Sequence, residues 1–113
     1  MGIPIIEVLI DNEMIKLFLD TGARISYLSY RFTNRYQSSG IEEDVHPLIG
    51  NFTTDSFDIE TIFGNSEFLV RYGNLPNLFQ STLQIANTEG IIGFDFFNNF
   101  KFLLNIKNNI IKL

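Results

Sequence analysis

The chain has 113 residues, the length of one ordinary domain, and 45% of them are hydrophobic, which is enough to build a compact core. It contains no cysteine, so disulfides, thiolate metal sites and a thiol nucleophile are excluded. Its single histidine, His46, is accompanied by no Gly-x-Ser-x-Gly elbow, which argues against a Ser-His-Asp triad. A net charge of −5 with eight scattered basic residues argues against a nucleic-acid-binding surface.

The start of the chain does not resemble a targeting segment. Residues 1–7 lack the basic start and the long apolar core of a secretory signal, and no apolar run reaches membrane-spanning length. We therefore predict a soluble, cytoplasmic protein that binds neither membranes nor nucleic acid. One domain is expected over residues 1–113.

The first predicted element is a β-hairpin. Residues 3–10 and 14–19 are rich in β-branched and other apolar side chains, and residues 11–13 between them have turn chemistry. Residues 25–30 predict a further strand. Residues 29–36, rich in aromatic and basic side chains, predict a short helical turn or a loop.

The middle of the chain predicts a second hairpin after a break at residues 38–40. The acidic cluster at residues 42–44 is interpreted as a solvated loop edge rather than a site. Residues 57–63 alternate apolar and polar side chains, residues 64–67 form a turn, and residues 68–72 continue as the partner strand.

The last third of the chain predicts short elements. Residues 83–86 and 90–93 are interpreted as strands, residues 94–99 as a brief helix, and residues 102–106 as another strand. Residues 110–113 predict a terminal strand, and an apolar end strand of this kind invites aggregation unless it is paired.

Asp20 is the clearest candidate for chemistry. It leaves an apolar strand into a turn at Thr21 and Gly22, where a buried acid without compensation would be costly. A turn-capping aspartate is the alternative interpretation. Two carboxylates placed together share a proton, because like charges a few ångström apart cannot both ionise cheaply. The chain contains a single Asp-Thr-Gly, so such a pair requires a second copy of the chain.

Two segments carry a resemblance to a known family. Residues 18–26 (FLDTGARIS) resemble the active-site signature of the retropepsin-like aspartic proteases, and Ser26 matches the hydroxyl position of their cellular and bacterial members. Residues 90–97 (GIIGFDFF) are similar to the second signature, an apolar-apolar-Gly element that packs behind the catalytic loop and precedes a short helix. The resemblance implies an all-β, closed β-barrel-like acid protease fold with one short C-terminal helix. It also implies a homodimer that needs neither a metal nor an organic cofactor.

The resemblance implies roles for the residues of the first signature. Asp20 and its symmetry mate would bind one water, the Thr21 hydroxyl would bond across the two-fold axis, and Gly22 would allow close approach of loop and substrate. Ala23 would help to line the floor of the cleft. Arg24 departs from the retroviral pattern, which usually has an acid shortly after Asp-Thr-Gly-Ala, and either an intersubunit ion pair or a solvent-exposed position is expected for it.

Residues 46–52 are the candidate for the β-hairpin flap that covers the cleft in this family. Pro47 and Gly50 are turn residues, and the apolar side chains between and after them could lie over a bound peptide. An ordinary surface turn is the alternative. The expected substrate-binding residues are Ala23, Arg24, Pro47, Leu48, Ile49, Gly50 and Ile92.

The predicted function is hydrolysis of peptide bonds in an extended polypeptide by a homodimeric aspartic endopeptidase. The resemblance implies that residues 3–6 and 110–113 of two subunits interleave, with pairing inside one chain as the alternative. Most of the twelve phenylalanines are expected in the core or the dimer interface, and some must line subsites, which favours apolar or aromatic substrate side chains. A non-catalytic dimerisation or peptide-binding module on the same fold is the main rival, and a monomeric β-barrel that binds a small apolar ligand is the third possibility.

Overall fold

The computed structural model of the chain describes residues 5–20, 22–85 and 87–93, and for residues 82–85 only the backbone. This part of the chain contains seven strands and two helices, neither of which is long and apolar enough to cross a membrane. In chain order the elements are β1 Ile5–Ile10, β2 Glu13–Leu19, β3 Ser26–Leu28, α1 Tyr30–Thr33, β4 Gly40–His46, β5 Gly50–Phe63, β6 Ser66–Asn74, α2 Asn77–Ile85 and β7 Gly90–Ile92.

The strands form one sheet that closes into a barrel. Their order is β1-β2-β7-β3-β6-β5-β4, and β1 also pairs with β5 through Leu9 and Ile62. Six strands therefore close on themselves, and β4 extends beyond the ring as the outer partner of β5. The prediction of an all-β, barrel-like fold is confirmed. The predicted helix at 94–99, the predicted strands at 102–106 and 110–113, and the pairing of the chain termini lie outside the described residues.

The hairpin β1–β2 forms as its sequence predicts. Asp11 and Asn12 both have positive φ angles, 54° and 62°, which a two-residue type I′ turn requires. The turn sets the register, with Ile10 opposite Glu13, and alternate side chains of both strands then face the barrel interior. The buried side chains of this hairpin are Val8, Ile10, Ile15 and Leu17.

The core divides into a large cluster inside the barrel and a small one that packs against Phe18 of β2 and Ile91 of β7. Each apolar side chain that is fully buried stabilises the fold by roughly 1.5–3 kcal/mol. The small cluster consists of Ile25, Tyr27 and Leu75, and partly buried apolar side chains pack against it. The large cluster contains Val8, Ile10, Ile15, Leu17, Leu28, Phe32, Phe57, Ile59, Val70, Tyr72 and Ile92.

The predicted second hairpin is confirmed and is longer than its apolar pattern indicates. β5 runs for 14 residues, and the turn to β6 contains Gly64, whose φ of 62° favours glycine. Residues 50–56 continue β5 beyond the predicted strand and pair with β4. Their mostly polar side chains conceal this continuation in the sequence.

Two sequence predictions are wrong. Residues 42–44 lie in β4 rather than at a loop edge, because their backbone pairs with β5 opposite residues 52–54. Residues 83–85 belong to α2 rather than to a strand. A short apolar run does not distinguish a helix from a strand, and the helix begins directly after Pro76.

The segment after the third strand is helical. β3 ends at Leu28, shorter than the predicted strand 25–30, and Tyr30 begins the one-turn helix α1. The Ser29 backbone N–H donates to the Glu89 carbonyl at 2.8 Å, which joins the start of this turn to the residue before β7. The helical interpretation of residues 29–36 is therefore confirmed over its first half.

A network of surface charges ties α1 to β2 and to the residue before β7. Arg31 Nη2 donates to Glu13 Oε2 at 2.8 Å and to Glu89 Oε2 at 3.0 Å. The guanidinium groups of Arg31 and Arg35 lie 4.1 and 4.7 Å from the ring centroid of the buried Phe32. The hydrogen bond from Arg31 holds the pKa of the Glu13 carboxyl below its usual value.

Replacing Gly90 by alanine is expected to destabilise the fold by at least about 2 kcal/mol. A Cβ at this position would lie 2.2 Å from the carbonyl oxygen of Tyr27, so β7 and β3 would have to separate. Urea unfolding measures the effect. Gly40→Ala is the control, because the nearest atom to its Cβ is Ser56 Oγ at 3.4 Å. Equal stability of the two variants would contradict the close contact between β7 and β3.

Glu13→Gln is expected to reduce the loss of stability on acidification. The folded-state pKa of Glu13 lies below its unfolded value, so its stabilising contribution is present above the unfolded pKa and is lost as the pH falls through the folded pKa. Melting temperatures at pH 6 and pH 3 should therefore differ less in the variant than in the wild type. The same change at the exposed Glu67 serves as the control. An identical pH dependence in all three proteins would contradict the role of the Arg31 contact.

Candidate active site

Asp20 is positioned by backbone hydrogen bonds at the end of β2. Its N–H donates to the carbonyl of Ile92 at 2.9 Å, which extends the parallel pairing of β2 with β7 by one residue. Its carbonyl accepts from the Ala23 N–H at 3.1 Å, and its Oδ1 accepts from the Gly22 N–H at 2.9 Å. The carboxylate is thus oriented by the turn that follows it, and the residue remains exposed. Thr21 lies outside the described residues.

Strand β7 packs directly behind the loop between β2 and β3. The Gly93 N–H donates to Oγ of the fully buried Ser26 at 3.0 Å. A Cβ at Gly93 would lie 2.4 Å from the Ile25 carbonyl oxygen and 2.8 Å from that of Ala23, so the approach requires glycine here. For residues 90–93, the described part of the second signature, the expected packing behind the first signature is therefore observed.

Asp20 opens onto a cleft of about 530 Å³. The cleft is bounded by the Asp20 loop on one side, by the β4–β5 hairpin on the other, and by the start of α2 at one end. Its lining combines charged groups with aromatic and other apolar side chains. The lining residues are Asp20, Gly22, Ala23, Arg24, Tyr27, Asp44, Val45, His46, Pro47, Phe52, Pro76, Phe79 and Ile91.

The predicted flap is the turn of the β4–β5 hairpin, here called the flap hairpin (residues 40–56). The Ile49 N–H donates to the carbonyl of His46 at 3.1 Å, and the Leu48 N–H donates to His46 Nδ1 at 3.1 Å. The His46 ring packs edge-on against Phe79 of α2, with 4.8 Å between ring centroids. Gly50, with a φ of 83°, leads the chain into β5.

The predicted substrate-binding residues are placed in three groups. Ala23, Arg24 and Pro47 line the cleft, whereas Leu48, Ile49 and Gly50 lie at the hairpin turn outside its lining. Leu48 is 76% exposed. Ile92 is fully buried in the barrel core, because successive residues of a strand face opposite sides and its neighbour Ile91 faces the cleft.

Arg24 makes an ion pair within its own chain. Its Nε lies 3.5 Å from Asp44 Oδ1 on β4, and its Nη2 donates to the carbonyl of Glu43. The Arg24 side chain is 57% exposed, so this contact leaves part of the guanidinium open to solvent.

Sequence reasoning missed most of the apolar and aromatic cleft lining. Tyr27 of β3 and Phe79 of α2 reach the cleft only in the folded chain, where they join Phe52, which the flap prediction included; the ring centroids of Tyr27 and Phe52 lie 6.3 Å apart. The sequence interpretation of residues 42–44 as a solvated cluster is wrong for Asp44, whose side chain is only 10% exposed. Within the described ranges, no three acidic or histidine side chains are grouped so that they could hold a metal ion.

Three solved structures resemble this chain over most of its length. The EIAV protease in complex with the inhibitor HBY-793 gives a TM-score of 0.62 at 20% identity, covering 99% of this chain and 94% of that chain. The protease of simian foamy virus (mac) gives 0.58 at 12% identity, covering 80% and 87%. The retroviral protease-like domain of Ddi1 from Leishmania major gives 0.56 at 14% identity, covering 88% and 78%.

The chain has the retropepsin-like aspartic protease fold. At sequence identities of 12–20%, these three structures establish the fold of this chain and not its activity. No family model and no curated protein matches the sequence. Within this retropepsin-like fold, the Asp20 turn, the supporting strand β7 and the flap hairpin surround one cleft.

Ser26→Ala is expected to destabilise the chain by about 1–3 kcal/mol, because the N–H of Gly93 would lose its buried acceptor. Chemical denaturation measures this loss. Ser81→Ala, the same change at an exposed position of α2, is the matched control and should stay within about 0.5 kcal/mol of wild type. A Ser26 variant as stable as the control would show that this hydrogen bond does not hold β7 behind the retropepsin-like loop.

Proposed function

We propose that the protein is a homodimeric aspartic endopeptidase in which one Asp20 from each subunit activates the attacking water. The observation that carries the proposal is the placement of Asp20: an exposed carboxylate that accepts the Gly22 N–H, on a residue whose main chain is hydrogen-bonded at a strand end, opens onto a cleft under a hairpin. The likeness to the EIAV protease, whose solved structure contains an inhibitor, supports the same interpretation.

The proposed chemistry requires two carboxylates of unequal protonation. One takes a proton from the water as it attacks the scissile carbonyl, while the other, protonated, polarises that carbonyl and later helps to protonate the leaving amine. Two carboxylates close together share one proton, so chemically identical residues can divide these roles. Since the chain contains one Asp-Thr-Gly, the second carboxylate must come from a second copy of the chain.

The remaining roles follow the Asp20 loop and the flap hairpin. Thr21 and Gly22 would hold the geometry of the dyad, and the Thr21 hydroxyl would bond across the two-fold axis. The proposed substrate is an extended polypeptide, with apolar side chains favoured by the rings and aliphatic groups that line the cleft. The proposed contacts to it come from Ala23, Arg24, Pro47, Leu48, Ile49 and Gly50, whereas Ile92 is buried in the barrel core and is not among them.

The wider organisation is part of the same proposal. Dimerisation, a single domain over residues 1–113 and a cytoplasmic location stay predictions. The volume beneath the flap hairpin, about 530 Å³, suits amino acid side chains of an extended peptide.

Asp20→Asn is expected to lower cleavage of an unstructured protein such as casein by at least about a hundredfold, because the amide cannot act as the general base. Cleavage should be assayed between pH 4 and 7.5, with and without the transition-state mimic pepstatin. The asparagine is nearly isosteric, so circular dichroism and the mass in solution should match those of the wild type.

The outcomes of this experiment separate the candidate functions. An active dimer that loses activity in the variant supports the dyad. A folded dimer that is inert across this pH range would contradict the proposal and favour a non-catalytic binding module. A stable monomer would contradict the shared dyad itself.

A further inference from the structure

A nearly buried carboxylate on the flap hairpin contacts two side chains beside the Asp20 loop. Asp44 of β4 is 10% exposed. Its Oδ2 accepts a hydrogen bond from the hydroxyl of Tyr27, and its Oδ1 lies 3.5 Å from Arg24 Nε and accepts the Val45 N–H at 2.8 Å. Arg24 and Tyr27 both lie on the barrel side of the cleft, four and seven residues after Asp20 in the chain.

The path of Tyr27 to the hairpin depends on a glycine. Tyr27 pairs with Gly73 of β6, and a Cβ on Gly73 would lie 3.0 Å from Tyr27 Cε1 and 2.7 Å from Thr54 Cγ2. The missing side chain lets the Tyr27 ring lie across β6, near Phe52, and place its hydroxyl at the hairpin. The contact with Asp44 is therefore supported by the packing of the barrel.

Within the described part of the chain, backbone pairing attaches β4 on one side only. Among the described strands β4 pairs with β5, and it forms the outer edge of the sheet. The inward side chains of β4 must therefore hold it against the barrel. At the base of the hairpin, Glu42 Oε2 lies 3.6 Å from Arg71 Nη1. Near the hairpin turn, the His46 ring contacts the Phe79 ring. Asp44 lies between these two contacts, next to the cleft.

We infer that Asp44 is a positioning residue, whose contacts with Arg24 and Tyr27 form a latch that holds the flap hairpin closed over the cleft. Arg24 stands where the resemblance predicts an acid after Asp-Thr-Gly-Ala, and the carboxylate that it pairs with, Asp44, lies on the hairpin. A volume of about 530 Å³ remains beneath the latched hairpin, so the latch can also close over a bound chain. The substrate role of the cleft rests on the proposed function, whereas the latch itself is a property of the free protein.

Substrate access then requires the latch to open. Removing the charge of Asp44 weakens the attraction to Arg24, and removing the Tyr27 hydroxyl leaves one carboxylate oxygen without its donor. Either change should raise the population of open hairpin without disturbing the barrel. In the free protein this appears as faster exchange of backbone amide hydrogens in the hairpin.

Hydrogen exchange on the full chain tests the latch. In Asp44→Asn and in Tyr27→Phe, amides of residues 43–53 should exchange about tenfold faster than in the wild type, while amides of β1 and β2 keep their rates. Glu43→Gln is the matched control: it removes the same charge from the neighbouring residue, whose side chain is exposed and whose carbonyl binds Arg24. Arg24→Gln breaks the same ion pair and also the hydrogen bond to the Glu43 carbonyl, so the double variant Arg24→Gln/Asp44→Asn should exchange at least as fast as Asp44→Asn, but with an increase smaller than the product of the two single effects.

Kinetics give a second measure if the wild type cleaves peptides. A hairpin that closes less firmly over substrate should raise KM about tenfold in Asp44→Asn and leave kcat within about twofold, because Asp20 is untouched. Unchanged hairpin exchange in both variants would overturn the inference. Faster exchange across β1 and β2 as well would also overturn it, since Asp44 would then act on global stability. A wild type without peptidase activity would contradict the proposed function, whereas the hydrogen-exchange result would still test the latch.

Discussion

The close approach of β7 to the loop between β2 and β3 is the contact on which the site depends. The loop has to pass the end of β7 within a distance that no side chain on Gly93 would permit. Two hydrogen bonds use this proximity: the Ile92 carbonyl holds the backbone of Asp20, and the buried Ser26 hydroxyl holds the backbone of Gly93. Backbone groups thus place the aspartate: its N–H and its carbonyl are both hydrogen-bonded, and its Oδ1 accepts the Gly22 N–H.

The opposite wall of the cleft, the flap hairpin, is held by side-chain contacts rather than by close packing of backbones. The flap hairpin has an edge strand whose inward positions are polar, Glu42, Asp44 and His46, and each meets a partner from β6, from the Asp20 region or from α2. Inward polar groups on an edge strand disfavour pairing with a second chain, because a new neighbour would have to satisfy them. Apart from its continuation through β5 into the barrel, the hairpin is thus attached by side chains, and these can release it without breaking the barrel's backbone ladder.

Local sequence patterns predicted the elements whose apolar period and turn chemistry agree. The hairpin β1–β2 has both, and so does the inner part of β5–β6. β4 could not be recognised, since its alternation places polar groups inward and Ile41 and Val45 outward. α2 could not be recognised either, because its apolar run is too short for the spacing of apolar residues to distinguish a helix from a strand. At 90–93, two adjacent isoleucines gave no indication of which one faces the cleft, because one residue of register exchanges the two faces.

Strand β5 belongs to both the flap hairpin and the barrel. Its 14 residues begin at the hairpin turn and end in the barrel wall, where Ile62 meets Leu9 and closes the ring. Because a strand twists as a continuous unit, the angle at which the hairpin leaves the barrel is inherited from the closure of the ring. The hairpin is therefore not a modular insert: grafting it onto another barrel, or exchanging it for a hairpin from a relative, would require the barrel half of β5 to be transplanted with it.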